Sequence, residues 1–129
     1  MSRILIVDDD PIMRKLVAKA VAPLNMSTFF ASDGIHALDA LRCNKDFDLL
    51  ITDISMPVLD GRQLIKTLKN DPTLADIPIL IMSGVVGMSE IADLLDMGAS
   101  KFIPKPFNMQ TLRDDVISAL EYKEAKVSS

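Results

Sequence analysis

One cysteine, one histidine and no long apolar run are found in this chain, and each shortage removes a class of function. The single thiol, Cys43, excludes an internal disulfide framework; late in a helix-like stretch it reads as a partly buried spectator, and a cytoplasmic setting is expected. His36 and Cys43 offer no tetrahedral set for zinc, and His36 itself reads as a surface or packed histidine without chemistry. No segment approaches the roughly 18 apolar residues of a membrane span. Met1-Ser2-Arg3 leads directly into a strand pattern instead of a signal-peptide core, so neither membrane nor export is expected. With a formal net charge of −4 and no basic run, the chain has no field for holding a phosphate backbone, and direct nucleic-acid binding is not expected. Neither G-x-G-x-x-G nor G-x-x-x-x-G-K-[ST] occurs, which argues against a nucleotide- or flavin-binding module.

What is present suffices for one domain: 129 residues, 49% apolar and 25% charged, enough to bury an ordinary core without staples. Arg3 to Val7 is a short β-branched run of the kind buried on both faces of a sheet, and it ends in Asp8-Asp9-Asp10. Asp10-Pro11 supplies an N-cap and a first-turn proline for a helix striped by Met13, Leu16, Val17, Ala20, Val21 and Leu24, closing near Pro23. Met26 to Ala31 reads as a second strand, and Ser32-Asp33-Gly34 as a turn capping a helix with Ile35, Ala37, Leu38 and Leu41. Phe47 to Asp53 is the third strand. Asp60-Gly61 turns the chain into a helix carrying Leu64, Ile65 and Leu68, which ends around Asn70-Asp71-Pro72.

Ile77 to Met82 is the fourth strand, followed by a helix with Ile91, Leu94, Leu95 and a terminal Gly98. Lys101 to Pro104 is the fifth, and Met109, Leu112, Val116, Ile117 and Leu120 stripe the last helix. The stripe fades over Glu121 to Ser129, which reads as a fraying helix end, so the domain is expected to occupy residues 1–121, with 122–129 a C-terminal tail or the start of a linker. Five βα units imply an α/β fold: a parallel sheet with helices on both faces.

In such sheets ligands bind beyond the carboxyl ends of the strands. The polar residues collect there: Asp8, Asp9 and Asp10 after the first strand, Asp53 after the third, Ser83 after the fourth and Lys105 after the fifth. If the first and third strands are neighbours, their ends lie about 4.8 Å apart. Two carboxylates at that distance repel by roughly 3 to 4 kcal/mol at an effective dielectric near 20. Mg²⁺, which takes one or two carboxylates, keeps several waters and bridges to phosphoryl oxygens, resolves the clash. A carboxylate nucleophile, a metal, a cation and a hydroxyl are the parts needed to accept a phosphoryl group. Taken singly these residues have plainer explanations. Asp10 is a helix cap, Asp60 a turn residue, Lys105 a solvated charge and Ser83 a turn former; the eight methionines read mostly as core filler, with Met88 and Met109 flanking a partner surface. Capping needs one acid, though, and leaves Asp8 and Asp9 unexplained.

Four ordered motifs, V-D-D-D-P at 7–11, T-D-I-S-M-P-V-L-D-G at 52–61, I-M-S-G at 81–84 and G-A-S-K-F-I-P-K-P-F at 98–107, make the chain resemble the receiver domains of two-component response regulators, in size the single-domain chemotaxis regulators. The resemblance covers nearly all of residues 3–121 and implies a flavodoxin-like (βα)5 fold with strand order 2-1-3-4-5. It implies Asp53 as phosphoacceptor, Asp9 as a direct Mg²⁺ ligand with Asp8 acting largely through water, and the Ser55 backbone carbonyl as a further ligand. Ser83 is then the switch hydroxyl, Lys105 the counter-ion of the phosphoryl group, Phe102 the switch aromatic, and Lys105-Pro106 a cis peptide. The expected partners are a sensor histidine kinase or a histidine phosphotransfer protein upstream, and downstream a protein target or an output domain outside this chain. The expected state is a monomer or weak dimer, a switch and not an enzyme beyond its own phosphorylation and dephosphorylation.

Phe102 stands where many relatives have tyrosine, so an inward ring has no hydroxyl to satisfy. Ser100-Lys101 replaces the paired acids of the winged-helix subfamily. A haloacid-dehalogenase-like phosphatase, with Asp8 as nucleophile and Asp10 as acid, is the alternative, but the chain lacks its late acidic metal motif and room for a substrate cap. Ser55 and Val85 are the positions expected to tune phosphoryl lifetime. Val85 is apolar where some relatives carry an acid or amide and cannot orient an attacking water, so a long-lived phosphorylated form is expected; spontaneous hydrolysis in less than about a minute in buffered Mg²⁺ would count against it.

Overall fold

The structure, a computed structural model, describes residues 2–44, 46–56, 58–84 and 87–128, with side chains as far as Glu121. Val85 therefore lies outside the described residues. Five strands, β1 (Arg3–Val7), β2 (Ser27–Ala31), β3 (Leu49–Asp53), β4 (Ile79–Ser83) and β5 (Lys101–Pro104), alternate with five helices, α1 (Pro11–Val21), α2 (Gly34–Cys43), α3 (Gly61–Lys69), α4 (Met88–Met97) and α5 (Met109–Ser128). The strands form one parallel sheet in the order β2-β1-β3-β4-β5, the order the resemblance implied.

Local chemistry sets the helix starts. The Asp10 carboxylate accepts the Ile12 N–H at 2.9 Å with Pro11 in the first helical position, and Asp33 accepts the His36 N–H at 2.8 Å. Asp60, read as a turn residue, closes a full capping box: its side chain accepts the Gln63 N–H at 2.9 Å while the Gln63 side chain accepts the Asp60 N–H at 3.0 Å.

Every residue of β3 and β4 is buried, because helices cover both faces. Leu5, Val7, Leu50, Ile79 and Ile81 face a core shared with α2 and α3; Ile4, Ile6, Leu49, Ile51 and Leu80 face a second core under α1 and α5. Each fully buried Leu or Ile contributes about 1.5–3 kcal/mol. The aliphatic residues of β3 and β4 together therefore outweigh an electrostatic cost of a few kcal/mol at the strand ends. That margin lets a buried acid sit there.

The structure departs from the sequence reading in its margins. β3 begins at Leu49, not Phe47, since the Asp48 N–H already turns to the Arg3 carbonyl at 2.8 Å. β4 runs from Ile79 to Ser83 instead of Ile77 to Met82: Pro78 has no N–H to give, though its carbonyl accepts the Leu50 N–H at 3.0 Å. β2 starts at Ser27, one residue late. Cys43 is exposed, at the last turn of α2, and not partly buried. Leu16, Leu95 and Ile117 were read as core stripe but lie 37%, 42% and 38% exposed, because each stripe is wider than the strip that touches the sheet. The backbone of α5 continues as helix past Glu121 to Ser128, through a segment that includes the good helix formers Lys123, Glu124, Ala125 and Lys126.

Gly61 couples fold to site. Its N–H donates to the Ile54 carbonyl at 2.8 Å, and a β-carbon there would come within 2.5 Å of the Asp53 carbonyl oxygen and 2.9 Å of the Ile54 α-carbon. Both are backbone atoms and cannot swing aside. Gly61→Ala is expected to destabilise the protein by about 2 kcal/mol or more, read as a lowered denaturant midpoint at unchanged slope; an unaltered midpoint would refute the close approach.

Candidate functional site

The carboxyl ends of β1, β3, β4 and β5 converge. Val7 pairs with Thr52, so Asp8 emerges beside Asp53. Asp53 ends β3 opposite Met82; its Oδ1 accepts the Ile54 N–H at 2.8 Å, and its Oδ2 lies 3.3 Å from the Lys105 ammonium. Asp8 is 1% exposed and held on all sides. Its Oδ1 accepts the Asp10 N–H at 2.9 Å, its Oδ2 accepts from Lys105 Nζ at 3.0 Å, and its backbone carbonyl accepts from the Arg14 guanidinium. Asp9 is exposed. One carboxylate oxygen from each of Asp8, Asp9 and Asp53 lies within 4.8 Å of the others.

Ser83 ends β4, 7% exposed and opposite Pro104 of β5. Its carbonyl accepts the Lys105 N–H at 2.9 Å, and this single bond carries the lysine over the acids. The Lys105–Pro106 peptide is cis. Phe102 is not in this cluster. It sits opposite Ile81, half-buried against the core shared with α2, α3 and α4. Ser55 is exposed and shares an open cleft of about 530 Å³ with Asp9, Asp60, Arg62 and Glu90.

Among the described residues Lys105 is the cation paired with the Asp8 and Asp53 carboxylates. Burial is the main force raising the Asp53 pKa; the Lys105 charge pulls it down, the Asp8 charge pushes it up, and the net shift is upward. Burial acts to lower the Lys105 pKa, but its hydrogen bond to Asp8 and the charges of both carboxylates prevail, and it is raised. For an acid the upward shift means that ionisation is harder in the folded chain than in the unfolded one. Asp53 therefore favours folding at low pH and loses that contribution as pH rises through its folded-state pKa.

The donor set fits a hard divalent cation. Three carboxylates converge, one lysine does not balance their charge, and among the described residues the cluster holds oxygen ligands with no histidine or thiol in it.

Three contacts were not read from the sequence. Thr52 is fully buried and donates to the Asp53 carbonyl at 3.0 Å; a hydroxyl inside an apolar run was the available signal. Arg14 reaches back to Asp8, and Arg62 pairs with Glu90 across 28 residues, neither with a local signature. His36 is a surface residue whose Nδ1 lies 2.8 Å from Asp33 Oδ1. Asp33 has its pKa lowered, chiefly by the His36 N–H it accepts as a helix cap.

The sequence profile of the response regulator receiver domain matches residues 4–117. The chain is 32% identical over 113 residues to the chemotaxis protein CheY1 of Helicobacter pylori, covering 87% of this chain and 91% of that one. It is 36% identical over 110 residues to the response regulator MprA of a Mycobacterium species, covering 85% of this chain and 46% of the longer relative. Among solved structures, the chemotaxis response regulator CheY4 of Vibrio cholerae superposes with a TM-score of 0.85 at 28% identity, over 93% of this chain and 99% of that one.

With Lys105 left to neutralise Asp8 alone, Asp53→Asn is expected to raise the stability of the metal-free protein by about 1 kcal/mol, or roughly 4 °C in Tm. Thermal unfolding in the presence of a chelator measures this. A drop in Tm would show that the Asp53–Lys105 attraction outweighs burial and the Asp8 repulsion.

Proposed function

The chain belongs to the response regulator receiver family and is a phosphoacceptor signalling domain of the two-component type, and on that premise we propose that Asp53 is the residue that takes the phosphoryl group. The observation that carries this reading is the convergence of the three carboxylates on one site, with Lys105 3.3 Å from Asp53. The donor is a phosphohistidine of a sensor kinase or of a histidine phosphotransfer protein. An Asp53 oxygen bonds to phosphorus as the phosphorus–nitrogen bond breaks, and the imidazole leaves with the electron pair. Lys105 holds the anionic phosphoryl oxygens, and the Ser83 hydroxyl donates to one of them.

Asp8, Asp9, Asp53 and the Ser55 carbonyl would hold Mg²⁺, Asp9 directly and Asp8 largely through water. When bound, this ion supplies neutralisation of charge on the transferring group. The protein's own part is positioning: Asp8 is 1% exposed, with its carboxylate held by the Asp10 N–H and Lys105, and is too buried to approach a donor. That burial also leaves the phosphatase alternative, with Asp8 as nucleophile, without support. No catalysis beyond the domain's own phosphorylation and dephosphorylation belongs to this reading.

A phosphoryl group adds nearly two negative charges beside Lys105, draws Ser83 and Lys105 to it, and repacks Phe102. The face formed by α4, β5 and α5, roughly residues 84–121, then changes its affinity for a partner protein or an output domain. The domain acts in the cytoplasm on this reading; among the described residues no helix is long and apolar enough to cross a membrane.

Incubation with Mg²⁺ and acetyl phosphate is expected to give a hydroxylamine-sensitive phosphate at Asp53, located by mass and abolished in Asp53→Asn. Phosphomonoester turnover that survives Asp53→Asn but is lost in Asp8→Asn would falsify the assignment. In Lys105→Ala, amide spectra with and without a phosphoryl mimic are expected to coincide around Phe102. Spectral changes of the size seen in the unsubstituted chain would remove Lys105 from the relay.

A further inference from the structure

The cleft beside the acids has a feature that acceptor chemistry does not use. Arg62 lies in the first turn of α3, whose first residue is bonded to the Ile54 carbonyl, and it lines a cleft with Asp9, one of the three converging acids. A cation in a helix's first turn opposes the helix dipole and needs a compensating reason to be there. Among the described residues lining the cleft Arg62 is the only cation, facing Asp9, Asp60 and Glu90. Its charge is partly engaged by Glu90, in the first turn of α4, with both side chains 38% exposed. Such an exposed pair contributes at most about 1 kcal/mol to stability, so it is easily opened.

We propose that Arg62 recruits the anionic phosphoryl group of a small-molecule phosphodonor to the cleft, and that Glu90 competes with the donor for it. The inference rests on Asp53 being the acceptor. An acyl phosphate entering by the cleft meets the carboxylates of Asp9, Asp60 and Glu90, and among the described residues of that cleft Arg62 is the cation that makes the approach tolerable to a dianion, while Lys105 holds the phosphoryl group at Asp53 itself. With acetyl phosphate, an Asp53 oxygen bonds to phosphorus, the bond from phosphorus to the acetyl oxygen breaks, and acetate leaves with the electron pair. Total charge is unchanged, and no oxidant or further reactant is required. Arg62 touches neither reacting atom in this step; it acts on the donor's arrival.

A purely structural role and a recruiting role predict different signs. If the pair only tied α3 to α4, breaking it from either side would have the same effect. If Arg62 attracts the donor, Arg62→Ala weakens recruitment and Glu90→Gln strengthens it, because the freed guanidinium no longer shares its charge.

The full chain with Mg²⁺ and acetyl phosphate, followed by mass, tests this. Arg62→Ala is expected to lower the second-order rate of Asp53 labelling about fivefold, through apparent donor affinity and not the limiting rate, and Glu90→Gln to raise it about twofold. Both effects shrink as salt is raised, Arg62→Lys keeps most of the rate, and Lys19→Ala, which removes a charge on the last turn of α1, changes nothing. Arg62→Ala and Glu90→Gln shifting the rate in the same direction, or neither shifting it, overturns the inference while leaving Asp53 as acceptor. No label on Asp53 in the unsubstituted chain overturns the acceptor assignment, and the inference with it.

Discussion

The Lys105 ammonium, 3.0 Å from Asp8 and 3.3 Å from Asp53, is the contact on which the rest of this structure turns. Among the described residues Lys105 is the cation paired with the two buried carboxylates, a third acid lies nearby, and one ammonium does not balance their charge. That deficit makes the site receptive to a divalent cation. On the proposed reading, a phosphoryl group at Asp53 competes with Asp8 for the same lysine. The Lys105 backbone N–H is tied to the Ser83 carbonyl, which joins the lysine to the end of β4.

The scaffold must hold such a site without yielding to it. Burial of β3 and β4 on both faces supplies several times the energy of the carboxylate repulsion, so the strands do not shift to relieve it. The backbone around Asp53 is pinned from behind by Gly61, whose approach to the Asp53 carbonyl leaves no room for a side chain, and by the Thr52 hydroxyl on that same carbonyl. The rigid parts are those that aim Asp53. Less enclosed are the half-buried Phe102 ring and the first turn of α4, tied to α3 by a surface ion pair.

Local signals were the readable ones. Asp10, Asp33 and Asp60 cap helices because the carboxylate and the N–H groups it accepts are two or three residues apart, within reach of sequence inspection. The acidic strand ends were legible because a buried strand expels charge to its terminus. Leu16, Leu95 and Ile117 misled because an apolar stripe on a helix says which way it faces but not how wide the contact is. Pro78 shortened β4 by a missing donor, and Cys43 was exposed because its helix ends there.

By itself, then, the sequence determined the alternation of strands and helices, their caps, and the placement of Asp8, Asp9, Asp53, Ser83 and Lys105 at strand ends, since each follows from burial and hydrogen bonding over a few residues. Tertiary structure decided what those residues do to one another. Lys105 meets Asp8 across 97 positions, and Arg62 meets Glu90 across 28. How much water each carboxylate keeps depends on packing, which only the assembled sheet sets: Asp8 is 1% exposed with its carboxylate accepting from the Asp10 N–H and from Lys105, Asp53 is 8% exposed, and Asp9 remains exposed.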